Sequence, residues 1–292
     1  MVTAGFADPR KTDPGSSSLN PELSSFLRLC HNEDPAPVQQ HALPPSTVRW
    51  IRNHLGQSGL ARVRLGAHLA VFAYFFLLRV GEYTHTRPRK DRKRLTVPLR
   101  KKDLRAWTTD GTATEKLLSN DASLGDLHQM DGITIDIENQ KNGKKGASLH
   151  QERASDPTFS PTYSAALILH AMRGMPEDTP IGSFWEAGAR AQVTDDDLRT
   201  IVRQGAVGDN LESHGFSLDR IGTISLRAGG ATRLKLAGYD SDMIQLIGRW
   251  SSRTYQTYIR TQIAQLTAGV STAMAKDLRY TVVGSRVRAH DT

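Results

Sequence analysis

Residues 61–83, ARVRLGAHLAVFAYFFLLRVGEY, are apolar on nearly every side through their middle. A helix apolar all round cannot lie on a surface and must run through a core. This segment therefore predicts a fold wrapped around one central helix. At its far end it carries Arg79 and Glu82 into or beside that core. A buried arginine costs stability unless it is paired, so Arg79 is expected to meet a carboxylate or to await an anionic ligand.

The elements around this helix follow from local patterns. STVRWIRNHL (46–55) places Val48, Ile51 and Leu55 on one face and predicts a helix capped by Ser46 or Thr47. PTYSAALILHAMRG (161–174) predicts a helix starting at Pro161 or Thr162 and ending at Gly174. VTDDDLRTIVRQGAV (193–207) predicts another, with acidic residues in its first turn. Ile133, Ile135 and Ile137 alternate with polar residues, and Asn142-Gly143 then marks a reversal, which predicts a β-hairpin with Lys141, Lys144 and Lys145 at its tip. Leu95, Val97 and Leu99 also alternate and predict a strand. The last third reads as short helices broken near 238–240 and 248–252. Residues 1–45 are rich in Pro, Gly, Ser and Asp, with one short helix suggested by Leu23, Phe26, Leu27 and Cys30. The expected organisation is a disordered or truncated segment at 1–45, a catalytic domain at 46–285 and a tail at 286–292. The expected class is α+β, mainly helical, with a small antiparallel sheet.

Composition narrows the chemistry. Lys and Arg number 38 against 30 Asp and Glu, a formal charge of +8 that suits a polyanionic partner. Residues 84–105 concentrate this charge, with ten Lys or Arg against two Asp. Within that run Arg87, Arg89, Lys90, Arg92, Lys93 and Arg94, together with Lys144 and Lys145, are candidates for contact with a phosphate backbone; the other reading is a solvated loop or a nuclear import signal. One cysteine allows no internal disulfide, no run approaches the length of a membrane span, and we expect a soluble intracellular chain. There is no CxxC, HExxH, GxxxxGK[ST] or GxSxG, which removes the usual signatures of zinc sites, NTPases and serine hydrolases. Arginine, lysine, tryptophan and tyrosine remain. Guanidinium groups grip phosphoryl oxygens, a lysine can protonate a leaving oxygen, and a tyrosine oxygen can be a nucleophile, with no cofactor or metal involved.

LLRVGE (77–82), SLRAGGAT (225–232) and IGRWSSRTYQTYI (247–259), in this order and with a lysine-tipped hairpin between the first two, resemble the blocks of the tyrosine recombinases, the phage-integrase-like enzymes that break and rejoin DNA. The GGAT and GRW forms resemble eukaryotic mobile-element members of the Crypton or DIRS kind. The resemblance covers about residues 46–275. It implies that Arg79 and Arg227 hold the scissile phosphate and that Glu82 is the acidic residue that follows the first arginine. It implies Lys141 as general acid, with Lys144 and Lys145 as rivals. Trp250 stands where most members have histidine, and its indole can donate to a phosphate oxygen. Tyr258 is implied as nucleophile, with Tyr255, one turn earlier, as second choice. Double-stranded DNA, a homo-multimer on DNA and nuclear residence follow from the resemblance, with no membrane and no nucleotide.

Two departures bear on activity. Three residues before the second arginine the family has histidine, and this chain has Ile224. Loss of one such donor typically costs about 10²–10³ in rate. His214, ten residues upstream, is a poor replacement. The stretch before Arg79 also leaves little room for the helical domain that the family places ahead of the catalytic one, so a fragment or decaying element is expected. At this level three functions stay open: a recombinase, a DNA-binding descendant without turnover, and an unrelated helix-turn-helix regulator, which SLRAGGATRLKLAGYDSDMIQLIGRW also suits.

Overall fold

The computed structural model describes residues 20–26, 39–85, 96–109, 115–139, 145–250 and 256, with the side chains at 115, 139 and 145 excepted. The chain divides between Gln39 and Gln40. In the first part, helix α1 covers 21–26, and the Asn20 side chain accepts from the Glu22 N–H at 2.9 Å at its start. Leu23 and Phe26 lie on it; Leu27 and Cys30 fall outside the described residues.

The second part is α+β and mainly helical, with a small antiparallel sheet. It begins earlier than the composition suggested. The N–H groups of His41 and Leu43 donate to the carbonyls of Arg220 and Ser225, which binds residues 40–44 into the core. Helix α2, Pro45–Trp50, runs on as a π-helical turn, Ile51–Leu55. Pro44, not Ser46 or Thr47, is its N-cap; the two hydroxyls donate instead to Asp209.

The apolar run becomes α3, Ala61–Phe75, and residues 65–74 are all buried. It does not continue to residue 83. The Leu78 N–H reaches back to Ala73 O at 3.0 Å, and Leu77 turns into the left-handed region at φ 48°. This is the geometry of a helix C-terminus normally closed by glycine. Arg79 is extended, and a short helix α4, Val80–Tyr83, follows. Arg79 and Glu82 thus stand beyond the central helix, on a separate turn whose backbone direction differs.

Residues 96–99 form no strand, contrary to the alternation of Leu95, Val97 and Leu99. A 3-10 turn at Lys101–Asp103 leads into β1, Leu104–Thr109. The remaining strands of the sheet are β2, Glu115–Leu117, β3, Gly132–Asn139, and β4, Lys145–Glu152, in the order β2-β1-β3-β4. Helix α5, Leu124–His128, lies between β2 and β3. Ile133, Ile135 and Ile137 are buried as their alternation predicts. Asn139 pairs with Lys145, so the hairpin reversal falls within 140–144, outside the described residues.

Helix α6, Pro161–Ala171, is capped by Ser160, and Gly174 follows with φ 73°. A two-stranded sheet comprises β5, Ser183–Glu186, and β6, Ala189–Gln192. Helix α7, Asp195–Gly208, starts at a capping box of Thr194 and Asp197. Two 3-10 turns precede α8, Thr223–Leu236, and α9, Ser241–Gly248. Helices α6, α7 and α8 pack around α3, and α6 also touches β3 and β4, which joins the helical core to the sheet. Among the described residues no helix is long and apolar enough to cross a membrane.

Candidate active site

The Gly229-Gly230 pair fixes how closely α8 approaches the chain before α4. A Cβ on Gly230 would stand 2.5 Å from Tyr74 O and 2.4 Å from a Leu77 methyl, and one on Gly229 would stand 2.1 Å from Leu43 O. Only glycine permits that contact. Leu77, Ala231, Ile244 and Trp250 then close into a small apolar cluster of their own, which fastens α8, α9 and the Leu77 turn together.

This packing delivers Arg227 to the backbone reversals on either side. Its Nη1 donates to Leu77 O at 2.6 Å and its Nη2 to Gly248 O at 2.5 Å. Gly248 ends α9, where carbonyls lack helical partners and the helix dipole favours a cation. The Trp250 ring lies beneath the guanidinium, 4.4 Å from its carbon, in cation–π geometry. Trp250 itself is buried.

Arg249, which sequence reasoning missed, completes the group. It closes α9 in the left-handed region at φ 56°, a position that normally selects glycine. Its Nη2 donates to Glu82 Oε2 at 2.8 Å and lies 3.5 Å from Leu77 O, the acceptor already bound by Arg227. Glu82 Oε1 accepts from Arg79 Nη1 at 3.0 Å, and Oε2 also accepts the Arg79 backbone N–H at 2.8 Å. Two guanidinium groups therefore share one carboxylate, with side-chain exposures of 24% for Arg79, 4% for Arg249 and 1% for Glu82. Burial lowers the pKa of Arg249; Glu82 opposes the shift and the Arg79 charge adds to it. A guanidinium stays protonated even so. The one available hint in the sequence was a cation directly after the glycine that ends a helix.

Arg79 and Glu82 are thus linked to Arg227 and Trp250 through Arg249 and Leu77 O, across segments up to about 170 positions apart. Lys141, Lys144, Tyr255 and Tyr258 lie outside the described residues, as do Arg87, Arg89, Lys90, Arg92, Lys93 and Arg94. Lys145 opens β4, and its side chain is likewise outside them. Ile224, in the first turn of α8 and one turn before Arg227, is 49% exposed. His214 is exposed on a separate 3-10 turn. Burial raises the phenol pKa values of Tyr74 and Tyr83 above the ordinary tyrosine range, which disfavours either as a nucleophile.

The later part of the basic run is engaged within the protein. Arg100 pairs with Asp103, Glu138 and Asp178, Lys101 with Asp121 and Glu177, Lys102 with Asp178, and Arg105 with Asp136. A phosphate-contact reading of 84–105 accordingly narrows to its first half.

Beside the arginines, a groove of about 470 Å³ runs between α9 and β4. Asp242, Gln245, Leu246, Arg249 and Trp250 form one wall, and residues 147–149 the other. The strand on that second wall is β4, the antiparallel partner of β3.

No family model and no curated protein matches the chain. Among solved structures it is similar to the XerH site-specific recombinase bound to palindromic difH substrate in a post-cleavage complex, with 17% identity and a TM-score of 0.48 over 80% of this chain and 54% of that one. It is similar also to XerA recombinase, at 14% identity and a TM-score of 0.42 over 84% and 67% of the two chains. A third is the Tn1549 transposon integrase in complex with transposon right end DNA, at 12% identity and a TM-score of 0.40 over 83% and 68%. The chain spans little more than half the length of XerH.

Proposed function

We propose that this chain is a DNA breaking and rejoining enzyme of the tyrosine recombinase kind. One observation carries the reading: Arg79, Arg227 and Trp250, the described residues that the three sequence blocks single out, belong to one connected group, joined by Glu82, Arg249 and Leu77 O. A helix-turn-helix regulator has no need of that convergence.

In this reading the Tyr258 oxygen loses its proton and attacks a scissile phosphodiester. The new phosphorus–oxygen bond to tyrosine forms as the bond to the 5′ oxygen breaks, and Lys141 gives that oxygen its proton. Arg79 and Arg227 neutralise the non-bridging oxygens, where negative charge builds up in the transition state. Trp250 holds the Arg227 plane by stacking, while the carbonyls of Leu77 and Gly248 fix its two ends. A 5′ hydroxyl then reverses the attack. The exchange keeps one ester bond throughout, so it consumes no nucleotide and calls for no metal. Double-stranded DNA is the partner, bound by a homo-multimer through the basic stretch at 87–94 and the hairpin tip. Kinship with eukaryotic mobile elements and a nuclear setting rest on the GGAT and GRW forms and on that basic stretch.

Ile224 favours one second reading, a DNA-binding descendant without turnover. A pool of nicked duplexes of randomised sequence separates the two. The active enzyme forms a denaturant-resistant protein–DNA adduct that Tyr258→Phe abolishes and Tyr255→Phe leaves in place. Retained binding with no adduct supports the second reading. An adduct that survives Arg79→Ala and Arg227→Ala together overturns the first.

A further inference from the structure

Arg249 is a costly residue for its position. It holds a left-handed backbone conformation at a helix end where glycine would be free of strain. Its Nε and Nη1 are buried and have no hydrogen-bond partner among the described residues. A buried donor left unsatisfied, on a charged group above all, destabilises the fold. Neither feature is needed to end α9, because Arg227 already binds the Gly248 carbonyl there.

The charges around it are also out of balance. Among the described residues Glu82 is the one carboxylate paired with Arg79 and Arg249, and both of its oxygens are engaged. Two cations against this one anion leave an excess positive charge of one in a mostly buried group. A second anion corrects this imbalance, and Arg249 lines the groove through which it can approach. One turn before Arg227 on α8, Ile224 presents an apolar side chain at the position where the resemblance implies a hydrogen-bond donor.

We propose that Arg249 is a third phosphate-binding guanidinium of this site, which supplies to the phosphoryl oxygens of the DNA backbone the donation that Ile224 cannot. As a role in catalysis this rests on the recombinase reading; as an anion contact it does not. The donor has in effect moved from the first turn of α8 to the end of α9.

Two measurements on the full chain test it. In the first, inorganic phosphate replaces chloride at constant ionic strength and the thermal midpoint is followed. The wild-type midpoint rises, Arg249→Gln loses most of that rise, and Arg199→Gln, an exposed arginine on α7, keeps it. In the second, adduct formation on the nicked pool falls by about 10²–10³-fold in Arg249→Gln. Adding Ile224→His to Arg249→Gln restores at least about tenfold of the loss, a rescue that a merely structural arginine does not allow. Arg249→Lys, which keeps the charge with fewer donors, falls between wild type and Arg249→Gln and serves where the glutamine variant unfolds. An unchanged phosphate response in the folded Arg249 variants overturns the proposal, as does an unchanged adduct rate. If the wild type forms no adduct while its phosphate response still depends on Arg249, the recombinase reading fails and the anion contact stands.

Discussion

Two regions of this protein bury a basic side chain, and they balance its charge in opposite ways. Lys101 has no exposed side-chain surface, and its ammonium meets Asp121 at 2.7 Å, Met175 O at 2.9 Å and Glu177 at 3.2 Å. Three donors find three acceptors, and two carboxylates face one cation. Both acids are about half exposed, so water disperses their surplus charge. The arginine site inverts the ratio, with two guanidinium groups to one almost fully buried carboxylate and donors left over on Arg249. A buried cation with acids to spare is a staple. Buried cations short of acids form a receptor for an anion.

Removing the scarce partner is the sharpest way to break this contrast. Glu82→Gln leaves Arg79 and Arg249 facing a neutral amide, and loss of one partner from a buried charge pair costs about 3–5 kcal/mol. Urea unfolding should show a loss of that size, and phosphate should recover more stability in the variant than in the wild type. A loss below about 1 kcal/mol means that the cluster carries no unrelieved charge.

A third basic side chain shows another solution, which is to give up the proton. His68 is buried in α3 near Tyr163. Burial pushes its pKa down to about 4, and the charges of Arg52 and Arg64 add to the shift. The neutral ring is the form the fold accepts, whereas the unfolded chain takes up its proton near pH 6.5. Stability is therefore complete above about pH 6.5 and declines as the pH falls toward 4, by on the order of 3 kcal/mol. The depressed carboxylates, such as Asp156 at about 2, add their losses below that window. Urea midpoints from pH 7 to 4 should fall in the wild type and flatten in His68→Gln. An equal slope in both removes His68 from this account.

On the receptor side, Arg227→Lys keeps the charge but cannot span the Leu77 and Gly248 carbonyls or stack flat on Trp250. Adduct formation should fall by about 10²-fold, equivalent to about 2.7 kcal/mol, with the unfolding midpoint moved much less. A full-rate lysine variant reduces the site to a point charge.

How much of this could be read beforehand differs by element. The isoleucines of β3, the Pro161 start of α6, the acidic first turn of α7 and the apolar middle of α3 carry local patterns that tertiary packing had no reason to override. The end of α3 was illegible because Leu77 takes a turn that glycine usually marks, and FFLLRV contains neither glycine nor proline. The alternation of Leu95, Val97 and Leu99 misled because the backbone of Leu99 is bound to Glu82 and Ile181, outside the sheet, and the ladder with β3 begins at Leu104. Arg79, Arg227 and Trp250 were visible through their blocks, whereas Arg249 was hidden for the same reason as Leu77. A left-handed position occupied by a side chain gives no signal of its own until the coordinates show what that side chain reaches.

The gentlest prediction tests the staple. Lys101→Met keeps the length and the apolar stem and removes the ammonium. Asp121 and Glu177 are exposed enough to regain water, and the Gly174 N–H still donates to Asp121 at 2.8 Å. Met175 O alone loses a buried partner. The cost should be about 1–2 kcal/mol in urea unfolding, below that of Glu82→Gln because no charge is stranded. The phosphate-induced rise in thermal midpoint should be unchanged, since an anion has nothing to gain where carboxylates already outnumber the cation. If Lys101→Met abolishes that rise, carboxylate ratio does not separate staples from receptors in this fold, and the anion must be bound on the Lys101 side instead.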